Sequence, residues 1–136
     1  MQLPQGSIIA SGPVIIEDGK VLLNREKKDY GTSPWFFPGG EVENFDQSLE
    51  DACLREVKEE MSLDINIIKP LKPIMYEDER KDRICVLIHW LAERKEGSKI
   101  EPADFIADWV WHDIDNLPEE TMDNVKEVID YHRDEF

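Results

Sequence analysis

Cysteine, glycine and positive charge are all scarce in this chain. Two cysteines occur, Cys53 and Cys85, far apart and each among apolar neighbours. That excludes a disulfide-built scaffold and reads as a pair of buried, reduced thiols. The histidines His89, His112 and His132 have no ligand spacing to either cysteine, so a zinc site is not expected. Sixteen Lys and Arg stand against 31 Asp and Glu, a net charge of −15. Broad attraction to a phosphate backbone is therefore excluded, and no nucleic acid polymer is expected as a partner. No apolar run has the length of a membrane span, and no membrane partner is expected. The start, "MQLPQGSIIASG", lacks the basic and apolar regions of a secretory signal, which places the protein in the cytoplasm. The acidity also sets a condition: a phosphate-bearing substrate would need cations between itself and the protein.

What is present fits one soluble domain over residues 1–136, with 40% hydrophobic and 35% charged residues. "GPVIIEDGKVLLNRE" predicts a hairpin turning at Asp18-Gly19, a favoured two-residue turn. "KKDYGTSP" reads as an exposed loop and "WFF" as a short strand stopped by "PGG". From Gln47 to Met61 the apolar residues Leu49, Ala52, Cys53, Val57 and Met61 recur at helical spacing, with Asp46 or Ser48 as the cap. "DINIIKP" and "KPIMYE" predict short strands, and "ERKDR" a polar turn. "RICVLIHWLAE", apolar on both alternating faces, predicts a central strand covered on both sides. "EGSKIEPADFIA" reads as a loop and "DWVWHDI" as a further strand. Pro118 marks the start of a last helix carrying Met122, Val125, Ile129 and His132 on one stripe. Strands bracketed by two helices predict a mixed sheet between helices.

The hexapeptide "REVKEE", Arg55 to Glu60, concentrates the chemistry. In a helix Glu56 lies three residues from Glu59 and four from Glu60, so the three carboxylates can converge on one patch. Like charges so placed repel unless a cation sits among them, and Mg²⁺ or Mn²⁺ prefers such oxygen ligands. Arg55, four residues from Glu59, can pair with and orient a carboxylate. Gly39 and Gly40 end the preceding strand, where a bare backbone can bring a carbonyl close to the ion.

With "PGGEVENFDQSLEDACLREVKEEMSL", Pro38 to Leu63, the sequence resembles the Nudix hydrolases. Their box runs Gly, five residues, Glu, seven residues, then Arg-Glu-hydrophobic-x-Glu-Glu-x-Gly-hydrophobic. Gly40 opens it and Leu63 closes it, while "VLLNRE", "WFFPGG" and "DWVWHDIDNLP" extend the likeness over most of the chain. Two departures stand out. The loop before the helix is one residue longer, leaving Asp46 or Gln47 at the conventional glutamate, and the box glycine is Ser62.

The resemblance implies an α/β/α sandwich with a mixed, curved sheet between helices. It further implies Mg²⁺- or Mn²⁺-dependent hydrolysis of a phosphoanhydride bond in a nucleoside diphosphate linked to another moiety. Glu56, Glu59, Glu60 and the Gly39 carbonyl would hold metal, and Arg55 would brace the carboxylates. The proton acceptor is Glu56 or Glu59, with the distal acids Glu101 and Asp104 as alternatives. Substrate contacts are expected from Gly40, Arg25, Trp35, Tyr76 and Arg83. A competing reading keeps the fold as a nucleotide sensor that does not hydrolyse. The intact glutamates weigh against it. An acidic docking face would leave the glycines unexplained, and a prenyl diphosphate isomerase would want a catalytic cysteine where Cys53 lies on the apolar stripe. The expected partner is a small nucleotide substrate, and the oligomeric state, a homodimer included, is left open.

Overall fold

The computed structural model describes residues 2–136. The first two strands, β1 (Ile8–Glu17) and β2 (Lys20–Lys28), form the expected hairpin. Its turn places Asp18 at φ 51° and Gly19 at φ 73°, the pair of left-handed conformations that matches the twist of the strands. Downstream lie β3 (Gly31–Thr32), β4 (Gly40–Glu41), α1 (Leu49–Met61), β5 (Ile65–Pro70), β6 (Ile74–Asp78), β7 (Arg83–Arg94), β8 (Ile106–Asp113) and α2 (Asp123–His132). A single 3-10 turn over Arg133–Glu135 closes the chain.

The sheet runs β3-β2-β1-β7-β5, with β4 on β1, β6 on β7 and β8 on β2. β1 and β7 are parallel over eight register pairs, Ile8 with Cys85 through Ile15 with Ala92. The other strand pairs are antiparallel, so the sheet is mixed. β7 is central, as its double-faced apolar pattern predicts. It carries β1 on one edge and both β5 and β6 on the other.

Alternation along the strands splits the core in two. Ile15, Leu22, Trp90 and Ala92 pack with Cys53, Val57 and Met61 of α1. Val14, Val21 and Leu23 point the other way and pack with Val125, Val128 and Ile129 of α2. One helix thus covers each face, the expected sandwich of a mixed sheet between helices. Among the described residues no helix is long and apolar enough to cross a membrane.

Three local expectations change. The stretch "KKDYGTSP" is not one loop: β2 runs to Lys28 and turns into β3, with Lys28 opposite Gly31. "WFF" is not a continuous strand either. Phe36 bridges to Asn24, and Trp35 bridges to Thr121. That second bridge explains why the last helix begins at Asp123 rather than at Pro118. The Trp35 N–H donates to the Glu120 carbonyl at 2.7 Å and the Met122 N–H donates to the Trp35 carbonyl at 2.9 Å. Those backbone groups are spent on a tertiary pairing and cannot start a helix.

Candidate active site

Helix α1 is fixed at both ends. Ser48, not Asp46, is its N-cap, with its hydroxyl accepting from the Asp51 N–H at 3.0 Å. Ser11 of β1 donates its hydroxyl to the Leu49 carbonyl at 2.8 Å and accepts from the Trp90 indole at 3.0 Å. At the far end Ser62 takes the left-handed conformation, φ 59° and ψ 24°, and its N–H donates to the Lys58 carbonyl. The Glu60 and Met61 carbonyls accept from the Ala103 and Glu101 N–H groups of the loop between β7 and β8, at 2.8 and 2.9 Å. The helix that bears the carboxylates is therefore held at its start by β1 and at its end by the loop between β7 and β8.

Arg55 is the hub of the site. Its Nε and Nη2 grip both Asp46 oxygens at 2.8 Å, a two-toothed geometry that suits the planar guanidinium. Its Nη1 reaches Glu56 at 2.9 Å and Glu59 at 3.2 Å, and Nη2 also donates to the Glu41 carbonyl at 3.1 Å. Phe45 lies under the guanidinium carbon, 5.1 Å from its ring centre. Asp46 accepts a further bond from the Glu43 N–H at 2.8 Å. The Arg55 bonds, helped by that N–H, hold its carboxyl down at about 2.

Glu60 is the opposite case. Its side chain is buried, with the residue 1% exposed, and Oε1 accepts from the Gly39 N–H at 2.6 Å. Burial pushes its carboxyl up to about 8, with the charges of Glu26, Glu56 and Glu59 adding to the rise. Glu56 is also pushed up by burial, although Arg55 opposes the shift. Gly40 presses against this group: a Cβ there would sit 2.3 Å from Glu56 Oε2. Gly39 adopts φ 141°, a backbone that L side chains rarely take.

These residues form one wall of a cavity of about 650 Å³. Glu26, Glu41, Glu43, Glu56 and Glu60 supply acid at one part of it, and Lys81, Arg83 and Tyr76 line another. Its floor includes His89 and Asn124. The His89 Nδ1 meets the Lys72 carbonyl at 2.9 Å and so carries its hydrogen, which leaves Nε2 to accept from the Asn124 amide at 3.2 Å.

A family model for the NUDIX domain matches residues 8–131. The chain belongs to the NUDIX family. It is 30% identical over 125 residues to the ADP-ribose pyrophosphatase of Methanocaldococcus jannaschii, a match covering 92% of this chain and 73% of that protein. It is 27% identical over 105 residues to the oxidized purine nucleoside triphosphate hydrolase of Danio rerio, covering 77% of this chain. The match spans 65% of that relative's length. The fold matches that of a MutT protein from Methanosarcina mazei Go1, at a TM-score of 0.81 and 20% identity, over 98% of both chains.

Within this NUDIX site the residues singled out by sequence fall into two groups. Glu56, Glu60, Gly39, Gly40, Tyr76 and Arg83 line the cavity. Glu59 contacts Arg55, but its side chain is 56% exposed and off the cavity wall. Arg25 and Trp35 are not cavity residues. The Arg25 guanidinium stacks on Trp35 at 5.1 Å, donates to the Ser33 carbonyl and pairs with Glu120 at 2.8 Å. The reason is strand alternation: Leu22, Asn24 and Glu26 face α1, whereas Arg25 faces the α2 side and is consumed there. Glu101 and Asp104 do not line the cavity either, and the loop instead presents Phe105. Sequence reasoning did not select Glu26, Tyr30, Lys81, Phe105 or Asn124. The alternation from Leu22 through Asn24 carried a usable signal for Glu26. Nothing local marked the others.

The one-residue insertion before α1 also resolves. Asp46, not Gln47, meets Arg55, so a shorter carboxylate arrives on a longer loop.

Proposed function

We propose that this chain catalyses Mg²⁺-dependent hydrolysis of a phosphoanhydride bond in a nucleoside diphosphate linked to a further moiety, as a single NUDIX unit over residues 1–136 acting in the cytoplasm. The observation that carries the reading is Glu60: a buried carboxyl group beside Glu56 at a cavity wall, with no cationic side chain bonded to it among the described residues. The names of the two relatives, a pyrophosphatase and a nucleoside triphosphate hydrolase, support the same class of bond.

The donor set suits a hard divalent ion, being all oxygen. Among the described residues no three acidic, histidine or cysteine side chains form a ready-made cage. Glu56 and Glu59 share one Arg55 nitrogen instead. Glu56, Glu59, Glu60 and the Gly39 carbonyl would hold the ion, with Arg55 retaining Asp46 as its permanent partner. Bound Mg²⁺ would neutralise the diphosphate and acidify water.

The protein's own groups carry the remaining work. Water adds to one phosphorus, the bridging P–O bond breaks, and the departing phosphate keeps the bridging oxygen. Glu56 would take the water proton, since it lines the cavity and Glu59 does not. Arg55, locked by Asp46, fixes where Glu56 points. Gly40 leaves room for the phosphates, and Arg83 offers its free guanidinium nitrogens to their charge, its Nε being held by Asp78 at 3.1 Å.

A substrate panel with product identification, run with Mg²⁺ and with chelator, tests the proposal. Phosphorylated products are expected with Mg²⁺ only, and Glu60→Gln should abolish the metal dependence together with turnover. A broad panel left uncleaved in the presence of Mg²⁺ or Mn²⁺ would sink it.

A further inference from the structure

Between Lys69 and Ile74 the chain reads Pro-Leu-Lys-Pro, and the two prolines have no N–H to give. Leu71 and Lys72 therefore carry the only backbone donors of the link from β5 to β6, and both are spent on histidines. The Leu71 N–H donates to the His89 carbonyl at 2.9 Å. The Lys72 N–H donates to Nε2 of His132, also at 2.9 Å. With its carbonyl accepting from His89 Nδ1, Lys72 joins the His89 ring in the cavity floor to the His132 ring on α2.

His132 is buried, and because its Nε2 accepts, its hydrogen sits on Nδ1, which faces the Glu135 carboxylate of the 3-10 turn. Glu135 pairs in turn with Lys69 of β5. The bonds from Lys69 and His132 hold its carboxyl below the ordinary range, so it stays an acceptor. A continuous run of donors and acceptors thus leads from exposed Lys69 and Glu135 to Asn124 at the cavity floor. Packing alone asks no particular tautomer of a buried histidine. Here the bonds at either end fix one tautomer in each ring.

We propose that Glu135 and His132 are positioning residues for the cavity floor: they hold Lys72, and Lys72 sets the tautomer and aim of the His89 ring. The kinetic consequence rests on the hydrolase reading above. His89 meets Phe37 edge-on at 5.4 Å and Asn124 of α2, whereas Glu56 and Glu60 stand on α1. Loosening the run should therefore weaken substrate binding and leave the chemical step nearly alone.

The test compares Glu135→Ala with Glu135→Gln, whose amide oxygen can still accept from His132 Nδ1. Asp115→Asn serves as a control, since it releases the Arg133 pair that holds the same turn. Nitrogen-15 NMR of the metal-free protein reads the tautomer of each of the three histidines. Steady-state kinetics with Mg²⁺ uses the fastest-cleaved nucleotide of the panel above, and thermal unfolding checks that each variant folds. Glu135→Ala should move His89 from the Nδ1–H form toward a mixture of tautomers. It should also raise KM about fivefold, the worth of one hydrogen bond, with kcat changed by less than about twofold. Glu135→Gln and Asp115→Asn should match wild type in both readouts. The proposal is overturned if Glu135→Ala leaves the His89 signals unchanged, or if either of the other variants moves them as far. A shifted tautomer with unchanged KM also overturns it and leaves the hydrolase reading intact. If no nucleotide is cleaved, the hydrolase reading falls and the NMR comparison alone decides the positioning role.

Discussion

Replacing Glu60 by glutamine should change how stability responds to pH, and the size follows from one buried carboxyl. Its ordinary value is 4.5 and the folded value about 8. Between those values the folded protein holds a proton that the unfolded chain has released, so stability falls as pH rises, by about 1.4 kcal/mol per unit. The contribution is fully present below 4.5 and is lost as pH climbs through 8. From pH 5.5 to 7.5 the loss amounts to about 2–3 kcal/mol, a large part of a domain's stability. Other groups titrate in the same window. Burial holds the His89 imidazole below its ordinary range, which gives the opposite sign: its contribution is present above 6.5 and lost as pH falls. The His89 contribution is common to wild type and Glu60→Gln and cancels in their difference, which reports Glu60 together with its coupling to Glu56. Urea unfolding of both, stripped of metal with chelator at pH 5.5 and 7.5, makes the measurement. The glutamine variant should gain about 2–3 kcal/mol on wild type across that interval. Millimolar Mg²⁺ should then restore wild type at pH 7.5 and leave the variant unmoved. A wild type–variant difference that is the same at both pH values would refute the reasoning, because Glu60 would then not be a strained buried acid.

Other outcomes follow from the same geometry. Asp46→Asn removes the charge that locks Arg55, and kcat/KM should fall about 10- to 100-fold while circular dichroism stays that of a folded protein. Glu56→Gln should lower kcat at least a hundredfold, in the ordinary range for loss of a general base, whereas Glu101→Gln and Asp104→Asn, off the cavity, should leave it near wild type. Ser62→Ala keeps the left-handed strain and loses the hydroxyl bond to the Glu101 carbonyl, seen at 2.8 Å. It should cost about 1 kcal/mol in chemical denaturation, while Ser62→Gly, trading that bond against relief of strain, should change little. Asn24 is fully buried and its Oδ1 has no partner among the described residues, so Asn24→Leu should add about 1 kcal/mol of stability in urea unfolding.

Much of the frame was legible in the chain because it rests on short-range physics. The Asp18-Gly19 turn, the α1 stripe and the doubly apolar run of β7 each follow from local spacing, and each holds in the folded protein. Where expectation failed, a long-range backbone bond intervened. Pro118 would start a helix on local grounds, yet Trp35, more than 80 residues earlier, takes the backbone groups that helix would need. Arg25 failed in the same way, because its partner Glu120 is 95 residues distant.

That the carboxylates of Glu56, Glu59 and Glu60 share one patch of a helix behind a glycine pair follows from the chain's order alone, since i, i+3 and i+4 spacing is local. That they are unequal follows from packing. Packing of α1 against the sheet buries Glu60 and leaves Glu59 in solvent, and burial, not spacing, sets the cost of a charge. The same holds for the choice of Asp46 over Gln47, settled by the reach of Arg55 across nine residues of loop and helix. It holds too for the run from Glu135 to His89, whose members meet only because α2 and the link after β5 pack on the same face of the sheet.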